Sequence, residues 1–133
     1  MTKGTERLPS PEEKGQGAVL VSRVWPARAF LYAELKEAGL DVYGVDAVAD
    51  LAEALWQWPR RFGVVVMDPA GFPGGDVARA VGLARRAGLD VLLVAGPWDV
   101  DRLADRAAGA WVLRKPVTIG AVVEAVRRAL RRR

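Results

Sequence analysis

A chain of 133 residues, 51% of them hydrophobic and with a formal net charge of +4, has the material for one domain with a real core. It holds neither cysteine nor histidine, which excludes disulfides, thiolate chemistry and the commonest general base and metal ligand, and with them most catalytic constellations. No run reaches the roughly 18 apolar residues of a membrane span and no apolar h-region marks a signal peptide, so a cytoplasmic protein without a membrane partner is expected.

Residues 1–16 are polar and aperiodic, with Gly4, Pro9, Pro11 and Gly15 among them. They read as a flexible leader, and residues 17–133 as the folded domain. Residues 18–21 are a short apolar run, typical of a strand buried on both faces. Pro26 suits the first turn of a helix. Ala27, Phe30, Leu31, Leu35 and Ala38 then recur at helical spacing until Gly39 stops them. Val42, Tyr43 and Val45 make a more polar strand, expected at an edge.

Asp46 is placed to cap a second helix whose core face is Val48, Leu51, Ala52 and Leu55. Trp56 and Trp58 are expected to cover its end before Pro59. Residues 64–67 are the most apolar strand and deliver Asp68 at its C-terminal end. Pro69, Gly71, Pro73, Gly74 and Gly75 then make a loop without a phosphate-loop pattern. Asp76 reads as the cap of a third helix with Val77, Ala80, Val81 and Ala84 inward. Residues 91–94 form a fourth strand, and Asp99 is placed to cap a short helix carrying Val100, Leu103, Ala104 and Ala107. Residues 111–113 form the fifth strand. Thr118 caps a last helix with Ile119, Val122, Val123, Val126, Ala129 and Leu130 inward.

Buried strands alternating with amphipathic helices imply a parallel sheet covered by helices on both faces. In an open sheet of this kind sites lie beyond the C-terminal ends of the strands, which places Ser22, Arg23, Asp68, Ala95 and Lys115 around one crevice. An aspartate on the end of one strand and a lysine on the end of another suggest a phosphoryl-accepting site.

From Ala18 to Leu130 the chain resembles the receiver domain of bacterial two-component response regulators. The carriers are the run Val64-Val65-Val66-Met67-Asp68, the loop with Pro73, Gly74 and Gly75, the stretch Ala108-Gly109-Ala110, and Lys115-Pro116. The resemblance implies a flavodoxin-like (βα)5 sandwich with strand order 2-1-3-4-5. It implies that Asp68 stands at the phosphoacceptor position and Lys115 at that of the conserved lysine, with a cis peptide before Pro116. It also exposes departures. The acidic pair that would hold Mg²⁺ falls on Ser22 and Arg23, and the hydroxyl position on Ala95. Val112 stands where an aromatic switch residue is common, with Trp111 one step off.

Mg²⁺ prefers carboxylate oxygens, and Asp68 alone remains to supply them. Arg23 is expected to pair with Asp68 in the metal's place, or Lys115 to do so. The chain is therefore read as a degenerate receiver, a pseudo-receiver. It would not be an enzyme and would need no cofactor or metal, and it would act as a protein–protein interaction module in two-component-type signalling. No output domain is expected beyond Arg133. Trp98, Trp111, Arg127 and Arg128 are the candidate interface residues, on a face made by the fourth helix, fifth strand and fifth helix that would meet a signalling protein or a second copy. Two alternatives stand beside this reading. One is a functional single-domain response regulator phosphorylated on Asp68 with Mg²⁺. The other is a small nucleic-acid-associated protein using the basic end Arg127, Arg128, Arg131, Arg132 and Arg133; the plainer reading of that run is a solvated helix face.

Overall fold

The computed structural model describes residues 15–132. Strands and helices alternate: β1 (Gly17–Val21), α1 (Ala27–Glu37), β2 (Val42–Val45), α2 (Val48–Gln57), β3 (Phe62–Met67), α3 (Gly74–Arg86), β4 (Asp90–Ala95), α4 (Pro97–Arg102), β5 (Trp111–Arg114) and α5 (Ile119–Arg131). All strand pairs are parallel, in the order β2-β1-β3-β4-β5. This is the flavodoxin-like order expected of the chain.

The period of two sorts the strand side chains onto two cores. Ala18, Leu20, Val64, Val66, Leu92 and Val94 face α1 and α5, where Leu35, Val122, Val126 and Leu130 meet them. Val19, Val21, Val65, Met67, Val91 and Leu93 face Val48 and Leu51 of α2, Val77 and Ala80 of α3, and Leu103. β1 and β3 are buried along their whole length, hence their unbroken apolar sequence. β2 and β5 are the edges.

Local expectations fare unevenly. Thr118 caps α5, its Oγ1 accepting from the Ala121 amide at 3.0 Å. The three aspartates expected to cap do not: the residues at those positions are Ala47, Pro73 and Gly96. Asp76 and Asp99 instead lie inside the first turns of α3 and α4, where their charge still opposes the positive end of the helix. α4 stops at Arg102, and Ala104 is exposed. Phe30 is 59% exposed, because the turn of α1 that buries Leu35 rotates Phe30 away from the sheet. Trp56 is 85% exposed and covers nothing.

Of the expected leader, residues 1–14 lie outside the described residues. Gly15 is buried against the backbone of Arg61 and Phe62, so packing reaches back into that segment.

Trp58 does cover the end of α2, within an aromatic group at the β2 edge. Its ring meets Tyr43 edge-on at 5.2 Å, and Phe62 lies 6.3 Å away. The Arg61 guanidinium lies 4.7 Å from the Trp58 ring and 4.8 Å from Phe62. It also donates two bonds of 2.8 Å to Asp41. The bonds from Arg61 hold the Asp41 carboxyl below its ordinary value of 3.8. A carboxylate with a lowered folded pKa adds stability that is full above the unfolded value and fades as pH falls through the folded one. Replacing Arg61 by Met should therefore cost about 1–2 kcal/mol at neutral pH, for a partly exposed pair and its ring contacts. In urea denaturation the gap between the two proteins should narrow as pH drops below 3.8.

Candidate functional site

The sheet ladder carries on past the strand ends and sets the site. The Ser22 amide donates to Val45 at 3.1 Å, the Asp68 amide to Val21 at 3.0 Å, and the Lys115 amide to Ala95 at 2.9 Å. Ser22, Asp68 and Lys115 thus stand side by side at the C-terminal edge. Their side chains line one cleft between α1 and α5.

Asp68 is nearly buried, and both its oxygens are engaged. Oδ2 accepts from Lys115 Nζ at 2.8 Å and Oδ1 from the Ala70 amide at 3.0 Å. The second bond is an Asx turn across Pro69, which has no amide to offer. The Lys115–Pro116 peptide is cis, as the resemblance implies, and so is Trp25–Pro26.

Arg23 does not pair with Asp68, contrary to the expectation for that guanidinium. Its Nε donates to the Asp46 carbonyl at 3.0 Å and its Nη1 to the Gly71 carbonyl at 2.8 Å. The plane lies 4.3 Å over the Phe72 ring. A guanidinium binds carbonyls and an aromatic face together, and Phe72 holds it there, away from the carboxylate. Gly71 has φ 84°, a conformation that turns the loop and that glycine adopts without strain.

Ser22 is only 3% exposed. Its Oγ accepts from the Val24 amide at 3.1 Å, a local turn that does not reach Asp68.

Ala95 faces away from the cleft. It lines a separate cavity of about 160 Å³ under α4, with Val100, Leu103 and Val112. Val112 thus lies beneath α4, while Trp111 lies by α5 in a groove with Ala125, Arg128 and Ala129. Adjacent residues of β5 point to opposite faces of the sheet, as a strand requires.

Sequence reading missed Arg102. Its Nε donates to Asp99 Oδ1 at 2.8 Å, and its Nη2 to the carbonyls of Pro69 at 3.1 Å and Phe72 at 3.0 Å. Its guanidinium carbon lies 4.9 Å from the Trp98 ring. The i, i+3 spacing of Asp99 and Arg102 was visible; the two carbonyls, 33 and 30 residues away, were not. Arg23 and Arg102 together tie two loops, those after β1 and β2, and α4 to the segment following Asp68.

The chain does not suit Mg²⁺ at this place. Among the described residues no three acidic side chains gather, and the one carboxylate present already has donors on both oxygens.

No protein-family model matches the chain, and no curated protein matches its sequence. Solved structures do match its fold. A response regulator receiver protein from Sinorhizobium medicae WSM419 is 21% identical, with 92% of this chain and 98% of that one covered at a TM-score of 0.70. One from Pseudomonas putida is 28% identical, with 86% and 97% covered at 0.67. A de novo designed Rossmann 2x3 protein also matches, at 12% identity with 88% and 90% covered and a TM-score of 0.64. The chain has the fold of response-regulator receiver domains. The designed neighbour is a reminder that this architecture alone carries no activity.

The two arginines yield a test of loop coupling. Arg102→Ala leaves the buried Asp99 carboxylate and the Phe72 carbonyl without their donor, while the Pro69 carbonyl keeps the Phe72 amide, and should cost about 2–3 kcal/mol in urea denaturation. The Asp99→Ala, Arg102→Ala pair should cost less than the sum of the single changes. Arg23→Ala, whose carbonyl bonds are exposed, should cost about 1 kcal/mol.

Proposed function

We propose that this is a receiver-like domain that does not take up phosphate. On this reading it serves as a protein–protein interaction module in two-component-type signalling, without enzymatic activity of its own. The observation that carries the reading is the state of Asp68. Phosphoryl transfer to a carboxylate needs a free oxygen to attack, a cation bridging the phosphoryl group, and fixed donors for the charge that develops. Here each oxygen already accepts a hydrogen bond, from Lys115 or from the Ala70 amide, which draws charge from both and weakens them as nucleophiles. Ser22 and Arg23 stand where acids would hold the cation, and Ala95 brings no hydroxyl.

The arginine ties add a second support. A receiver works by shifting between two arrangements of its loops and α4. Arg23 and Arg102 hold one arrangement with bonds internal to the chain, so that a phosphoryl group has little left to organise.

With the switch set aside, selection acts on a surface. Trp98 is 73% exposed and Trp111 54%, and Arg128 lies beside Trp111. Large exposed aromatics next to a cation are favoured at interface centres. Arg127 does not belong with them. Its Nη2 donates to the Ala38 carbonyl at the end of α1, at 3.1 Å, on the far side of α5. The partner is a signalling protein or a second copy.

The nucleic-acid reading loses ground on the basic end. Arg131 pairs with Glu124 at 3.1 Å and Arg132 with Asp90 at 3.0 Å, so several of those cations already have partners within the chain. Among the described residues no helix is long and apolar enough to cross a membrane.

Incubation with acetyl phosphate and Mg²⁺ should leave the intact mass unchanged. A phosphoryl adduct mapped to Asp68 would establish instead the working single-domain response regulator. For the surface, Trp98→Ala with Arg128→Glu should reduce self-association in sedimentation, or capture of a partner, by tenfold or more, about 1.4 kcal/mol. Asp68→Asn should leave either unchanged. Equal association by all three proteins would remove this face from consideration.

A further inference from the structure

The cleft between α1 and α5 is more than the place where Asp68 is neutralised. It has a volume of about 270 Å³, close to the roughly 300 Å³ at which small-molecule sites begin. Its interior is apolar: Leu20, Val66 and Val94 come from the sheet, Leu31 from α1 and Val122 from α5. Its polar groups gather on Ser22, Arg28, Asp68 and Lys115.

These groups are unbalanced in charge and in bonding. Two cations, Arg28 and Lys115, face one carboxylate, Asp68. Arg28 has no carboxylate partner among the described residues; its bond there is a long one, Nη1 to the Ser22 carbonyl at 3.4 Å. A guanidinium has five N–H donors, and most of these are left over. Lys115 gives one of its three protons to Asp68. Ser22, buried, accepts from Val24 but finds no acceptor for its own hydroxyl proton among the described residues. The one carboxylate in the cleft, by contrast, already accepts a donor on each oxygen, Lys115 on one and the Ala70 amide on the other. The cleft has spare donors and one uncancelled positive charge, above an apolar interior.

We propose that this cleft binds a small monocarboxylate with an apolar body, its carboxylate held by Arg28, Lys115 and the Ser22 hydroxyl and its body among Leu31, Val66 and Val122. One negative charge balances the cleft. A dianion such as phosphate would bring a second charge against Asp68 and into an apolar setting, which costs more than the site returns. An amine or an alcohol would leave the guanidinium without a charged acceptor. The volume restricts the body to a short aliphatic chain or a single ring. This inference does not rest on the loss of phosphorylation: phosphate uptake is read by mass at Asp68, and carboxylate binding by a titration that involves no phosphodonor.

The test titrates the ¹⁵N-labelled full chain with hexanoate and benzoate, and separately with hexanamide, benzamide and inorganic phosphate. Binding should be saturable for at least one of the two carboxylates, with the shifts centred on the amides of Ser22, Arg28, Lys115 and Val122. The matching amide should bind at least tenfold more weakly, and phosphate should neither reproduce the shifts nor displace the carboxylate. Arg28→Gln, at the mouth of the cleft, should weaken the carboxylate tenfold or more and bring it level with the amide. Leu31→Trp, which fills the interior from a half-buried position, should abolish binding of both. Absence of saturable shifts with either carboxylate overturns the proposal. So does equal binding of carboxylate and amide, displacement by phosphate, or an affinity untouched by Arg28→Gln.

Discussion

A carboxylate at the end of a buried strand has to be satisfied, and Asp68 is satisfied entirely by this chain's own donors. Leaving it alone at 13% side-chain exposure would cost several kcal/mol. Much of the local architecture follows from meeting that need. Lys115 reaches Oδ2 because β5 runs in register with β4, through the bond from its amide to Ala95. The Ala70 amide reaches Oδ1 because the chain turns at once after Pro69. That turn in turn exposes the carbonyls of Pro69, Gly71 and Phe72, and Arg23 and Arg102 take those up. One charge, paired early, propagates through its loop to two guanidinium groups on other elements.

This matters for what such a fold is able to do. A ligand or modification shifts an equilibrium only by its different affinity for two states. In a working phosphorylation switch the second state is stabilised by contacts that exist only after transfer. On the proposed reading the corresponding contacts here are internal to the chain. Arg23 bridges the loops after β1, β2 and β3, and Arg102 bridges α4 to the loop after β3. On that reading such bonds add stability to one arrangement and leave a phosphoryl group little difference to exploit.

Periodicity made the fold legible, and geometry hid much of the site. The unbroken apolar runs of β1 and β3 and the stripe Val77, Ala80, Val81 and Ala84 each reflect a buried surface, so they survive in sequence. The meeting of Asp68 and Lys115 could be expected because parallel strands end level. Cap positions were less legible. A helix begins where the backbone first turns, and Ala47, Pro73 and Gly96 do this without a capping side chain, leaving Asp76 and Asp99 inside the first turn. Arg23 was misplaced because opposite charge was weighed and the pull of two carbonyls and the Phe72 ring was not. Arg127 was misplaced by grouping neighbours in sequence: consecutive residues on a helix stand about 100° apart, so Arg127 reaches α1 while Arg128 reaches β5.

Arg102 also joins the inside of the domain to its surface. The same guanidinium that holds the Pro69 and Phe72 carbonyls lies against Trp98 and bonds Asp99. The placement of Trp98 is thereby tied to the loop that follows Asp68. Trp111 is held in a parallel way, by Arg132 at 4.7 Å, which is itself paired with Asp90. An aromatic side chain ordered before contact has less entropy to lose when a partner covers it. On the proposed reading the arginines therefore act twice. They remove the second state of the loops, and they present the two exposed tryptophans in one fixed arrangement. A partner that binds this face would respond to the presence of the domain, because the internal bonds leave no alternative arrangement of Trp98 for it to distinguish.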